Sequence, residues 1–243
     1  MDNPTIRPGS SQPSQRDGVT GKGERSRERL LAEATRIFSA KGYSAASTRE
    51  ICEAAQANLA SIHYYFGGKE GLYRAVLTRP IDMMVEQFGR FDDPTLSFGQ
   101  AMRKFLGAFL AHYMSEAEEA MVMRLHLREM LEPSGVFRDI IEGTILPHHN
   151  ALVELLARHC ALKKPDTDLH QLAFALVAMA HDYCMSREFI KILAPDVLRR
   201  PNAAEKILDR LVGYSEALLA HEIAQRRAVL ARAKSAIGRP RAR

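Results

Sequence analysis

Four side chains able to exchange hydrogen bonds with a nucleobase or a phosphate stand within five residues of one another: Ser61, His63, Tyr64 and Tyr65. A hydroxyl, an imidazole and two phenols can each donate and accept, which is the chemistry that reads base edges or grips a phosphodiester backbone. Lys69 follows, behind Gly67 and Gly68, at what reads as the start of a helix. Bare glycine leaves the backbone open there. The free N–H groups and positive dipole end of a helix, joined by an ammonium, form an anion site suited to a DNA phosphate.

Short helices must hold these groups. Ser47 with Glu50 three residues on is a capping-box pattern that starts a helix at Thr48, on which Ile51, Ala54 and Ala55 are expected to form a small apolar face. Asn58 caps a second helix, Leu59 to Tyr65, with Ile62 and Phe66 on its buried side and the four polar groups outward or at its edges. Two short helices joined by a tight turn make a helix-turn-helix, whose second helix enters the major groove. Upstream, Leu30, Leu31, Ala34, Ile37 and Phe38 keep a helical period from Glu24 to Lys41, and Gly42 supplies the stop. Phe38, Ile51, Ile62, Phe66 and Leu72 are the expected core of this three-helix domain.

The runs Ile51-Cys-Glu-Ala-Ala, Ser61-Ile-His-Tyr-Tyr-Phe and Lys69-Glu-Gly-Leu resemble the DNA-binding motif of the tetracycline-repressor (TetR) family, over roughly Arg25 to Leu77. Two positions depart from the family pattern: Gln56 stands where a turn glycine is usual, and His63 where an aromatic residue is usual. The resemblance implies an all-α fold, an N-terminal three-helix DNA-binding domain plus a larger helical domain for effector binding and dimerisation. It implies double-stranded DNA with a pseudo-palindromic operator as partner, and Thr48 and Tyr65 as positioning contacts beside Lys69. The candidate DNA-binding set is Thr48, Arg49, Asn58, Ser61, His63, Tyr64, Tyr65 and Lys69.

Beyond Leu77 the periodicity stays helical and no strand alternation occurs. Pro80 is expected to break or kink the helix begun at Lys69, near Thr78. Ser97 with Gln100 caps the next helix, another spans about Glu118 to Leu131, and one from about Val136 to Leu162 is expected to bend at Pro147. Asp166 or Thr167 opens a long helix to Leu193, and Asn202 with Glu205 opens the last. These two are apolar over much of their circumference, so each lies deep in a core or is shared with a partner. The family resemblance implies the second, a homodimer through both helices, with Leu172, Leu176, Tyr183, Leu211, Ser215 and Leu218 as interface candidates.

The segment Arg124 to Ser134, with Pro147-His148-His149, resembles the effector domain of the CecR-like branch of the family. That implies a pocket for an unknown small-molecule effector among the central helices. Phe105, Phe109, His126, Glu129, His149 and His181 are its candidate lining.

Composition narrows the classes. A chain of 243 residues buries a core without covalent staples, and three cysteines far apart in apolar helical contexts read as reduced thiols. No apolar run approaches a membrane span and no signal pattern opens the chain, so a cytoplasmic protein is expected. The net charge of +5 is uneven: residues 1–80 carry 12 basic and 8 acidic groups, 81–225 carry 15 and 21, and 226–243 carry 7 and none. Basic ends around an acidic middle suit a nucleic-acid footprint. Nine histidines show neither paired metal spacing nor a cysteine pair, and no nucleophile elbow, phosphate loop or dinucleotide fingerprint is present, so no metal, cofactor or catalytic residue is assigned. The expected organisation is an arm over 1–22, a DNA-binding domain over 23–77, a ligand-binding and dimerisation domain over 78–233 and a basic tail over 234–243. The expected function is a homodimeric transcriptional repressor released by a small molecule. The competing class is a helical small-molecule-binding protein or enzyme without DNA binding.

Overall fold

The computed structural model describes the backbone of residues 15–88, 90–113 and 118–237; within these, the side chains of 15–22, 80–88, 111–113, 118–120, 123, 184 and 234–237 are not described. All described elements are helical, and the chain divides between Val76 and Leu77 into two compact units.

The first unit comprises α1 (Gln15–Ala45), α2 (Thr48–Ala54), α3 (Leu59–Phe66) and the start of α4 (Lys69–Phe88). Residues 1–14 of the expected arm lie outside the described residues, and Gln15 to Lys22 belong to α1 rather than to an arm. Gly42, with φ 78°, ends the regular part of α1, a left-handed conformation that costs glycine little. Leu30, Leu31, Ala34, Ile37 and Phe38 are all buried, as their period requires. Phe38, Ile51, Ile62 and Leu72 meet in the core, and Tyr73 joins them fully buried, edge-on to Phe38 at 4.8 Å between centroids. Phe66, expected there, is only half-buried: the Arg27 guanidinium lies 5.5 Å from its ring centroid. Ala54 is exposed, and Cys52 takes the buried position beside Ile51.

The capping box at Ser47 forms only in part. Ser47 Oγ accepts from the Arg49 amide at 3.2 Å, while the Glu50 carboxylate turns to the Lys41 ammonium at 2.7 and 2.8 Å. A charge-assisted bond outcompetes a neutral amide for that carboxylate. The helix α4 runs unbroken to Phe88, so the expected break near Thr78 is absent. Proline removes one rung and a helix of this length retains its others.

The second unit holds α5 (Phe98–Tyr113), α6 (Glu118–Leu131), α7 (Gly135–Ile140), α8 (Leu146–His159), α9 (Thr167–Met185), α10 (Arg187–Leu193), α11 (Asp196–Arg199) and α12 (Ala203–Ile237). At its centre α5 packs against both α9 and α12. Its capping box is complete: Ser97 Oγ accepts from the Gln100 amide at 3.3 Å and Gln100 Oε1 from the Ser97 amide at 2.9 Å. Met102 and Leu106 on α5, Leu176 on α9 and Leu211 on α12 are fully buried in one cluster, where each large side chain contributes about 1.5–3 kcal/mol.

Two expected helices are divided. Where a bend at Pro147 is expected, the helix widens into a π turn, Ile141–Ile145, between α7 and α8, and Pro147 stands in the first turn of α8. The expected helix to Leu193 breaks at Ser186 (φ −93°, ψ 16°), whose hydroxyl donates to Asp182 Oδ1 at 2.7 Å.

Three of the six expected interface residues are core residues of the single chain. Leu176, Leu211 and Ser215 are buried, the last with its hydroxyl donating to the Leu211 carbonyl at 2.7 Å. Leu172, Tyr183 and Leu218 pack half-buried on the same cluster. A broad apolar face on α9 and α12 is what α5 needs on its two sides, and sequence alone does not distinguish that neighbour from a second subunit. The two helices also carry Phe174 at 66% exposure and Tyr214 at 48%.

Candidate nucleic-acid interface

The turn between α2 and α3 is a Schellman motif. The Ala57 amide donates to the Cys52 carbonyl at 2.9 Å and the Gln56 amide to the Glu53 carbonyl at 3.2 Å, with Gln56 left-handed at φ 51°. This is the position where glycine is usual, and the conformation is kept with glutamine at a cost of about 1 kcal/mol.

Asn58 caps α3 from an extended conformation (φ −97°, ψ 161°). Its Oδ1 accepts from the Ser61 amide at 2.8 Å and from the Ser61 hydroxyl at 2.9 Å. His63 and Tyr64 project outward, Tyr64 at 83% exposure. Tyr65 is half-buried, edge-on to Tyr64 at 4.9 Å between centroids. Its hydroxyl lies 3.4 Å from where a Cβ on Gly23 would sit. Thr48 is half-buried and Arg49 exposed at the head of α2.

Gly67, left-handed at φ 75°, closes α3 by donating to the His63 carbonyl at 2.9 Å. In α4 the Leu72 amide bonds the Gly68 carbonyl at 3.0 Å, so the amides of Lys69, Glu70 and Gly71 precede the first helical rung. Lys69 Nζ lies 4.7 Å from the centroid of Tyr43 and 3.4 Å from the Ser44 carbonyl. Its charge is thus held beside the end of α1. Gly71 faces the Phe66 carbonyl so closely that a Cβ there would stand 1.8 Å from the oxygen. Tyr43, Tyr73 and Gly71 position this corner and were not singled out from sequence; only the glycine, inside a helical period, offered a signal.

The six effector candidates fall in three places. Phe105 packs edge-on to Phe91 (4.9 Å between centroids) and tilted to Phe109 (5.3 Å), and Phe109 meets His181 edge-on at 5.7 Å. Burial pushes the His181 imidazole below its ordinary value, which favours its neutral form. On α6, His126 Nδ1 lies 3.0 Å from the Val122 carbonyl, and the buried Glu129 accepts from the Ser134 amide at 2.8 Å. His149 Nε2 meets His170 Nδ1 at 2.9 Å, with Phe174 at 5.0 Å between centroids. Burial first, then the neighbouring His170, lowers the His149 value. No group of three metal-ligating side chains occurs among the described residues, and no described helix is long and apolar enough to cross a membrane.

Residues 30–76 match the family model described as bacterial regulatory proteins, tetR family. Residues 99–222, about half the chain, match the C-terminal domain of the HTH-type transcriptional dual regulator CecR. The chain belongs to the TetR family. Its regulator-type DNA-binding unit therefore carries a CecR-like C-terminal domain. This TetR-family chain is 29% identical over 182 residues to the CecR regulator of Shigella flexneri, covering 71% of itself and 81% of that protein. It is 26% identical over 134 residues to the transcriptional repressor NicS of Pseudomonas putida, covering 49% and 63%. In fold it is similar to a TetR-like transcriptional regulator from Rhodococcus sp. RHA1, with a TM-score of 0.53, 21% identity and coverage of 82% and 96%.

Proposed function

We propose that this TetR-family regulator is a homodimeric repressor that a small molecule releases from a pseudo-palindromic operator. The observation that carries the DNA side is the head-to-tail arrangement of α3 and α4. His63 and Tyr64 project outward from α3 with Ser61 half-buried at its head, and the amides that precede the first rung of α4 stand beside Lys69. In this reading Ser61, His63 and Tyr64 face bases, while Thr48, Arg49, Tyr65 and Lys69 grip phosphates. Repression is the role named for NicS, whereas CecR is named a dual regulator.

The effector site of this reading is the Phe91, Phe105, Phe109 and His181 run on the α5 and α9 side. A flat apolar body would lie along the rings, and the neutral His181 nitrogens would give it one hydrogen bond. His126 and Glu129 serve the α6 to α7 connection instead. Dimerisation is assigned to the outward faces of α9 and α12, around Phe174 and Tyr214. Residues 78–233 are the effector and dimerisation domain in this reading.

The experiment is a gel shift with the protein's own upstream DNA, repeated across candidate effectors, with a parallel transcription assay. A retarded band, lost on adding effector, together with repression of transcription, is expected. Absence of any retarded band at low salt would refute the reading, and a ligand that binds equally with and without operator would refute the coupling.

A further inference from the structure

The hydrogen bonds at the head of α3 leave one donor and one acceptor facing outward, and from them we infer that Asn58 and Ser61 together read an adenine. The inference rests on α3 being the helix that enters the major groove.

The Ser61 amide donates to Asn58 Oδ1 at 2.8 Å. That bond fixes the rotation of the Asn58 amide, because only the oxygen can accept, and so the NH₂ group is turned away from the helix. Ser61 Oγ lies 2.9 Å from the same oxygen. An oxygen that only accepts must receive the hydroxyl proton, so Ser61 has lone pairs alone to offer a partner. The Asn58 NH₂ keeps both protons, with no acceptor among the described residues, and Asn58 is exposed.

A free asparagine reads adenine alone, accepting from N6–H₂ with its oxygen and donating to N7 with its nitrogen. Here the Asn58 oxygen is committed to the cap, and the Ser61 oxygen stands in for it. The composite presents a donor from Asn58 to N7 and an acceptor from Ser61 to N6–H₂. Guanine offers acceptors at both N7 and O6, so its O6 would face the Ser61 lone pairs across an unmade bond. Thymine offers an acceptor and a methyl group. Cytosine offers only a donor, which leaves the Asn58 NH₂ unpaired. Recognition helices touch bases from their N-terminal residues, where this pair lies.

The test is site selection by the full-length protein from a synthetic duplex library with randomised half-sites, repeated with Ser61→Ala and Asn58→Asp. Aspartate caps a helix as well as asparagine, so the second variant keeps the Ser61 bonds while replacing the outward donor by an acceptor. Melting curves verify that both variants fold. Wild type is expected to enrich one adenine per half-site over guanine by roughly tenfold or more. Ser61→Ala should lose that discrimination yet retain a purine, and Asn58→Asp should exchange adenine for cytosine. Placing 7-deazaadenine at the position should weaken wild-type binding about tenfold and leave Asn58→Asp unaffected. A motif enriched identically by all three proteins, or indifference to 7-deazaadenine at every adenine, overturns the assignment. A library that yields no enriched motif overturns sequence-specific recognition by α3 itself, and the assignment with it.

Discussion

Gly71 faces Phe66 across the corner between α3 and α4, where a Cβ on Gly71 would stand 1.8 Å from the Phe66 carbonyl oxygen. Backbone on both sides leaves nothing flexible to yield. Gly71→Ala is therefore expected to splay α3 from α4, costing about 1–3 kcal/mol. Denaturant melts of wild type and variant check the stability. Operator affinity should fall with it, since α3 and Lys69 are held by the same corner.

Gln56→Gly is expected to stabilise the protein by about 0.5–1 kcal/mol, because the left-handed Schellman position suits glycine. A rise in the chemical-denaturation midpoint with unchanged DNA affinity is the expected result. The same holds for Ala161, which ends α8 at φ 56° with the Leu162 amide on the Ala157 carbonyl at 2.9 Å.

Lys69→Ala should weaken binding to all duplexes alike and reduce the salt slope by about one phosphate. His63→Ala and Tyr64→Ala should change relative affinities among duplexes more than the slope. Fluorescence anisotropy at several salt concentrations separates the two behaviours.

Core and partner surface should respond differently to substitution. Leu176→Ala is expected to cost about 2–5 kcal/mol in stability, since the residue is fully buried in the single chain. Phe174→Asp, on the exposed face, should leave the chain folded and shift it toward monomer in sedimentation. A dimer unchanged in Phe174→Asp would move the interface elsewhere.

Asp166 joins the head of α9 to α12, accepting from the Leu169 amide at 3.2 Å and from Arg226 at 2.6 and 2.8 Å. The Arg226 hydrogen bonds, above all, hold its carboxyl below the ordinary carboxylate value. Its contribution is accordingly present above the unfolded value near pH 4 and lost as pH falls through the folded value. The side chain is 44% exposed, so solvent screening limits the effect to about 0.5–1 kcal/mol. Asp166→Asn keeps the cap and removes the charge; its acid limb below pH 4 should be flatter than that of wild type.

Much of the DNA-binding unit was legible because its signals are local. Asn58 caps α3 and the apolar period of α1 is buried as spaced. What the sequence hid depends on groups brought together from afar. Lys41 draws Glu50 out of its capping box, nine residues away, and Gly71 matters only through the carbonyl it meets. In the second unit the apolar stripes of α9 and α12 are broad, but a period cannot say whether its partner is α5 or another chain. The three-way scatter of the histidines has the same origin: a residue type signals a capacity to bind, and the packing of separate helices decides what it meets.

The carbonyl of Val76 would take its helical bond from the amide of residue 80, and proline there has none. Val76 is also the last residue of the first unit. The missing rung of α4 therefore falls at the boundary between the two units, in a helix that is otherwise continuous from Lys69 to Phe88. A helix short of one rung bends more readily at that point than along the rest of its length.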